Sequence, residues 1–202
     1  MKNNERGAVQ FIALGAAVIL IGFLIWSVGT YNSLVVRNEN VSRAWSTVES
    51  QYQRRLDLVP NLVETVKGSS KFEKETLTAV VEARAKATSV NVDKSVLNDP
   101  AAFHKFEEAQ AGLGSALSRL LVVVEKYPDI KSTEAYRDLT VQLEGTENRI
   151  QVARKDFNEA AQDYNVSIKV FPASVIAGFG GFKERPYFQA AAAAAQAPAV
   201  KF

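Results

Sequence analysis

The chain has 202 residues, 47% of them hydrophobic, and its 24 basic and 22 acidic side chains leave a net charge of +2. That length suits one domain with appendages, and a balance this even, with no basic stripe interleaved with aromatics, points away from nucleic acid as a partner. The absence of cysteine excludes disulfides, Fe–S clusters, zinc fingers, lipoprotein attachment and thiolate catalysis.

Residues 1–7 read as a short polar tail, and no charged residue occurs from Gly7 to Val36. Within Ala8–Val28, "AVQFIALGAAVILIGFLIWSV", only Gln10 and Ser27 are clearly polar. As a helix this stretch covers about 31 Å, the thickness of a hydrocarbon core. Trp26 and Tyr31 fall where an aromatic belt would lie. A cleaved signal peptide would have a shorter apolar run and a small-x-small cleavage site, which "WSVGTYN" does not supply. Residues 8–30 are therefore read as an uncleaved transmembrane anchor, with the lipid bilayer as a partner. Lys2 and Arg6 before the span and Arg37 and Arg43 after it nearly balance. The short N-tail and the lack of a later span favour a signal-anchor with its N-terminus inside and the large domain outside the cytoplasm. Ala8, Gly15, Gly22 and Gly29 recur every seven residues, a seam that would let spans approach closely in a homo-oligomer.

The periodicity of residues 31–170 predicts an elongated, antiparallel, all-α four-helix bundle. The first helix is expected from about Asn32 to Lys67, with Leu34, Val41, Trp45, Val48, Tyr52, Leu56, Val59, Val63 and Val66 on one stripe and Gly68 as its stop. At its centre sits "RRLDLVPNL", residues 54–62. Pro60 removes the helical donor of the Leu56 carbonyl and predicts a kink, with Asn61 beside it to bond the disturbed backbone. Ser70 and Glu73 suggest a capping box for a second helix running to about Lys86. Residues 88–100 read as a polar loop. Asp99 and Pro100 form an N-cap and first-turn pair for a third helix, whose inward face carries Phe103, Phe106, Ala109, Leu113, Leu117, Leu120 and Val124; "YPD" (127–129) ends it. A fourth helix keeps 3–4 spacing from Tyr136 to Ser167, which implies neighbours packed at a shallow angle, and Pro172 stops it.

If the first and fourth helices run antiparallel and end near the membrane together, Arg54 and Arg55 stand level with residues 144–145. Buried arginines need acidic partners. The expected polar lock, or alternatively a partner-docking site, comprises Arg54, Arg55, Asp57, Pro60 and Asn61 with Glu144, Glu147, Asn148 and Arg154.

Residues 171–202 form an aromatic and Ala-rich tail with no clean amphipathic period. It reads as a strap folded back over the bundle, an interfacial segment at lipid headgroups, or an arm reaching a second subunit. In the last case Phe171, Phe179 and Phe182 would join Gly15, Gly22 and Gly29 as oligomerisation residues. His104 is the sole histidine and has no partner histidine at helical spacing, so a surface role is expected. "GFGGF" (178–182) does not open a helix after a strand and is not read as a phosphate cradle. No motif predicts a catalytic residue, metal or cofactor.

The stretches "YNSLVVRNENVSRAWSTVESQYQRRLDLVPNLVETVKG" (31–68), "EKETLTAVVEARAKA" (73–87), "EGTENRIQVARKDFNEAAQDYN" (144–165) and "FPASVIAGFGGF" (171–182) occur in order and resemble the LemA family. The family's usual aromatic at one position is Phe157 here. The resemblance implies a bacterial, membrane-anchored, all-helical protein with no established enzymatic activity, in a family that includes members linked to magnetosome membranes. Two functions fit these expectations. One is a non-enzymatic scaffold that self-assembles and organises or recruits envelope proteins. The other is an accessory or sensor subunit of a membrane complex containing a separate enzyme or transporter.

Overall fold

The computed structural model describes residues 2–68, 72–90 and 93–189, with side chains from Leu14 onward. Ser70 and residues 190–202 of the tail lie outside the described residues, and Ala8 is described in its backbone alone. All regular structure among the described residues is helical: α1 (Lys2–Lys67), α2 (Lys74–Ser89), a 3₁₀ turn (Lys94–Asn98), α3 (Pro100–Val124), α4 (Pro128–Lys131), α5 (Glu134–Lys169) and α6 (Ala173–Phe179).

The expected boundary between anchor and first bundle helix is absent. α1 is one unbroken helix of 66 residues, about 99 Å at helical rise. No glycine pair or proline interrupts the junction near Thr30, so the backbone ladder continues from the apolar stretch into the domain. The N-terminal part carries an 18-residue window of mean hydropathy 1.9, long and apolar enough to cross a membrane and unburied within the chain. Beyond Val36 the same helix turns amphipathic. Leu34, Val41, Trp45, Val48, Tyr52, Leu56, Val59 and Val66 of the stripe are buried, and α1 packs against α5, α2 and α6.

Pairings across α1 and α5 run in opposite sequence directions. Trp45 meets Phe157 at 5.4 Å between ring centroids, and Arg55 meets Glu147 further along α1. α2 packs against α3, and Phe72 and Tyr127 close the far end at 5.0 Å.

Two local expectations change. Helix α2 begins at Lys74, and Glu73 occupies the N-cap position without a side-chain capping bond. The region 93–98 is not simply a polar loop. Asp93 Oδ1 accepts from Ser95 N at 2.7 Å and starts the 3₁₀ turn, which buries Val96 and Leu97 in the core. The start of α3 matches the sequence: Asp99 Oδ1 accepts from Ala101 N and Ala102 N at 2.9 and 3.2 Å, with Pro100 needing no donor at that position.

After α6 the chain turns back. Gly181 has φ +69°, a conformation suited to glycine, and Phe182 N donates to Ala177 O while Gly181 N donates to Gly178 O. This is a Schellman end, which accounts for the glycines of "GFGGF". Residues 182–189 then run extended beside α5, held by two asparagines seven residues apart and so on one helical face. Asn165 pairs with the backbone of Arg185 in both directions (2.9 and 2.8 Å), and Asn158 does the same for Phe188 (3.0 and 2.9 Å). These side chains supply the partners that a sheet neighbour would otherwise give an extended backbone.

Phe188 fills the aromatic core. It lies 6.0 Å from Trp45, 4.9 Å from Phe103 and 5.5 Å from Phe157, with the Arg154 guanidinium 4.6 Å above its ring. The Arg185 guanidinium is bound by Asn38 Oδ1 at 2.7 Å, the Leu97 carbonyl at 3.3 Å and Asn98 Oδ1.

Candidate functional site

The apolar interior falls into two clusters. One holds Trp45, Tyr52, Phe106, Ile150 and Phe188. The other holds Leu56, Leu113, Leu120 and Leu143. Between them, at a single level of α1, α3 and α5, lie Arg55, Gln110 and Thr146, three of the four buried polar residues among those described. Thr146 takes one inward position of α5, and Arg55 and Gln110 are buried next to the stripe residues Leu56 and Ala109, so a polar layer crosses the domain.

Arg55 is 3% exposed. Its Nη1 donates to Glu147 Oε1 at 2.8 Å, and its Nη2 donates to both the carbonyl (3.1 Å) and Oε1 (2.5 Å) of Gln110. The guanidinium carbon lies 5.0 Å from the Tyr52 ring centroid, one turn earlier on the same face. Gly114 lies beside it, where an added Cβ would make an ordinary contact with Arg55 Nη1 at 3.8 Å. Charge-assisted bonds of this kind offset the cost of removing a guanidinium from water. Burial raises the Tyr52 hydroxyl above its usual pKa, although Arg154 and Arg55 pull it the other way.

The layer opens into a cavity of about 440 Å³ whose wall includes Tyr52, Arg55, Glu107, Gln110, Glu147 and Arg154. The strap completes its rim: Arg154 Nη2 donates to Gln189 O at 2.9 Å and Gln189 N donates to Glu107 Oε1 at 3.3 Å. Two buried donors, Arg55 Nε and Gln110 Nε2, have no acceptor among the described residues. His104 also lines it, but its side chain is 66% exposed and faces Glu108 at 3.6 Å. Among the described residues no group of three metal-ligating side chains comes together.

The remaining sequence-predicted residues divide. Arg54, Asp57, Pro60, Asn61, Glu144 and Asn148 are exposed. Arg54 does not join Arg55 at the polar layer: consecutive residues point about 100° apart on a helix, so only one of them can face α5. Arg55 meets Glu147 rather than Glu144, three residues further along α5. Asp57 accepts from Gln53 Nε2 on its own helix at 2.8 Å. Asn61 does not bond the backbone that Pro60 disturbs; its own carbonyl accepts from Thr65 Oγ1. The Leu56 carbonyl, left without its helical donor by Pro60, instead accepts from Arg84 Nε of α2 at 3.0 Å.

Gly15, Gly22 and Gly29 face open space in the single chain, where an added Cβ would touch nothing. Phe171 and Phe179 point outward, but Phe182 packs on Tyr31 (5.4 Å) and Tyr164 (6.5 Å). Phe182 is therefore an intramolecular contact, because the Gly180–Gly181 turn folds it back onto α1. Sequence reasoning missed Gln110, Glu107, Arg84, Asn158, Asn165, Arg185 and Phe188. The seven-residue repeat of asparagine on the inward face of α5 is the one local signal that pointed to a clamped strap.

Comparison with known proteins adds the following. A family model described as the LemA family matches residues 44–202. The chain is 28% identical to "Magnetosome protein MamQ 2" of Paramagnetospirillum magneticum over 91% of this chain and 74% of that protein. It is also 28% identical to "Magnetosome protein MamQ" of Magnetospirillum gryphiswaldense, over 91% and 73%. It is 24% identical to "Protein LemA" of Metamycoplasma hominis, over 87% and 77%.

Proposed function

This chain belongs to the LemA family, and from that premise we propose that it is a non-enzymatic, single-pass scaffold of the bacterial inner membrane that self-assembles and organises or recruits envelope proteins. The observation that carries the reading is the unbroken helix α1. A flexible linker would let the domain wander. A continuous helix instead holds the domain's surfaces at set distances from the bilayer and transmits the orientation of the span to the core. In this reading α1, α2, α3 and α5 act as an elongated antiparallel four-helix bundle standing on the anchor, with the N-terminus inside and the domain outside the cytoplasm. The open glycine seam supplies close packing between spans, where lipid gives no hydrophobic drive.

The test is the mass of the full-length protein extracted in mild detergent. A homo-oligomer that dissociates when Gly15 and Gly22 are both replaced by leucine is expected. A monomer at high concentration sinks self-assembly.

A second reading is an accessory or sensor subunit bound to a separate enzyme or transporter, for which the polar cavity lined by Arg55, Glu107, Glu147 and Arg154 is the surface a partner would engage. There the same extraction would yield one copy of this chain with a different protein.

A further inference from the structure

The two most exposed large apolar side chains among those described are Phe179, at 91%, and Phe171, at 80%. Both lie at one end of the domain, Phe171 just before the seven-residue helix α6 and Phe179 as its last residue. Within α6, Ala177 is buried while Val175 and Phe179, four residues apart and so on one face, are exposed. Val170 and Val166, at the end of α5, extend the same outward apolar surface.

The depth of this surface is set by its neighbours on α1. Val166, Val170 and Ala173 line one groove with Trp26, Gly29 and Leu34, and the Phe182 ring lies against Tyr31. The segment 166–182 thus stands level with Trp26–Leu34, the last part of the uncharged run that ends at Val36. Cations stand around the same level: Arg37 borders the groove, Lys169 pairs with Glu184 at 2.7 Å, and Lys183 is exposed. Asp163 also lines the groove, so the border is charged with both signs; apolar side chains on one face with a charged border, placed where a span leaves the hydrocarbon, is the pattern of an element lying in the membrane interface.

We propose that α6 and its flanks, led by Phe171 and Phe179, form a foot that inserts into the headgroup–acyl boundary of the membrane crossed by α1, so that the domain touches the bilayer at two places. The occupant of this apolar face is lipid, by continuity with the span beside it. The inference rests on the reading of α1 as an anchor. Its consequence is a fixed tilt and rotation of the domain: one helix permits rotation about its axis, whereas a second contact beside it does not.

The cysteine-free chain permits single-cysteine variants of the full-length protein, Leu20→Cys, Phe171→Cys, Phe179→Cys and Val122→Cys, each carrying a nitroxide label. The proteins are reconstituted into phosphatidylcholine–phosphatidylglycerol vesicles, and collision with oxygen is compared with collision with a water-soluble nickel chelate. Labels at 20, 171 and 179 are expected to favour oxygen several-fold, and the label at 122, near the far end of α3, to favour nickel. Oxygen preference at 20 with nickel preference at 171 and 179 overturns the foot and leaves the anchor standing. Nickel preference at 20 as well overturns both. An oxygen preference at 179 that disappears when the protein is diluted tenfold in lipid marks a contact between copies and also overturns the foot.

Discussion

Arg84 of α2 donates from Nε to the carbonyl of Leu56 on α1, the one carbonyl whose helical donor Pro60 removes. A helix-breaker inside a long helix is tolerated here because a second helix satisfies the acceptor it strands. Pro60 thereby becomes a point of recognition between α1 and α2.

This relationship predicts a coupled pair. Arg84→Ala is expected to lower stability by ~1–2 kcal/mol, since a partly buried carbonyl loses its donor. In a Pro60→Ala background, where residue 60 again supplies an N–H, the same change is expected to cost less than half as much. Urea unfolding of the four proteins in the double-mutant cycle measures it. Equal costs in both backgrounds would show that Arg84 acts elsewhere.

The polar layer predicts non-additive costs. Glu147 is 43% exposed at its side chain whereas Arg55 is 4% exposed, so Glu147→Ala strands a buried cation while Arg55→Ala strands a carboxylate that can turn to water. Each change is expected to destabilise, by ~1–3 kcal/mol, the partly exposed pair lying between the surface and buried limits. The double mutant is expected to cost at least ~1 kcal/mol less than the sum. Strict additivity in denaturant unfolding would rule out an energetic lock.

Phe188 predicts that the strap belongs to the core. Phe188→Ala is expected to cost ~3–5 kcal/mol, the usual range for emptying a buried aromatic site. Asn158→Ala, which releases both backbone bonds of residue 188, is expected to cost ~1–3 kcal/mol. If Phe188→Ala unfolds at the same temperature as the parent, the strap is dispensable.

Tyr52 predicts an alkaline limit. Burial raises its pKa above the unfolded value near 10, so the folded state holds the phenolic proton more tightly than the unfolded state. Its contribution to stability is complete below about pH 10 and is lost as pH rises through the higher folded-state value. Tyr52→Phe is expected to lose stability less steeply as pH rises above about 10, measured by circular dichroism at fixed temperature. An unchanged slope would assign the alkaline loss to other groups; Tyr164 and Tyr136 are also raised by burial.

Orientation predicts a reporter pattern. An alkaline phosphatase fusion after Phe202 is expected to be active and a green fluorescent fusion at the same site dark, as for a domain outside the cytoplasm. The reverse pattern would invert the assignment.

What the amino-acid sequence determined by itself is what local periodicity encodes. The apolar run of the span, the buried stripe of α1, the Asp99–Pro100 start of α3 and the long inward face of α5 all follow from which residues recur at helical spacing and which side chains cap a helix end. The arginine pair, too, announced a polar level within an apolar stripe. Tertiary structure alone decided which partner each of these meets. Arg55 rather than Arg54 faces α5, and it takes Glu147 rather than Glu144, because the register between two helices is set by packing along their whole length. The Leu56 carbonyl finds Arg84 rather than its neighbour Asn61, because α2 folds back alongside α1. The strap was invisible to periodicity for a related reason. An extended segment has no helical repeat, and its backbone groups are satisfied by Asn158, Asn165 and Glu107, side chains distant in sequence that only the folded helices bring within hydrogen-bonding reach.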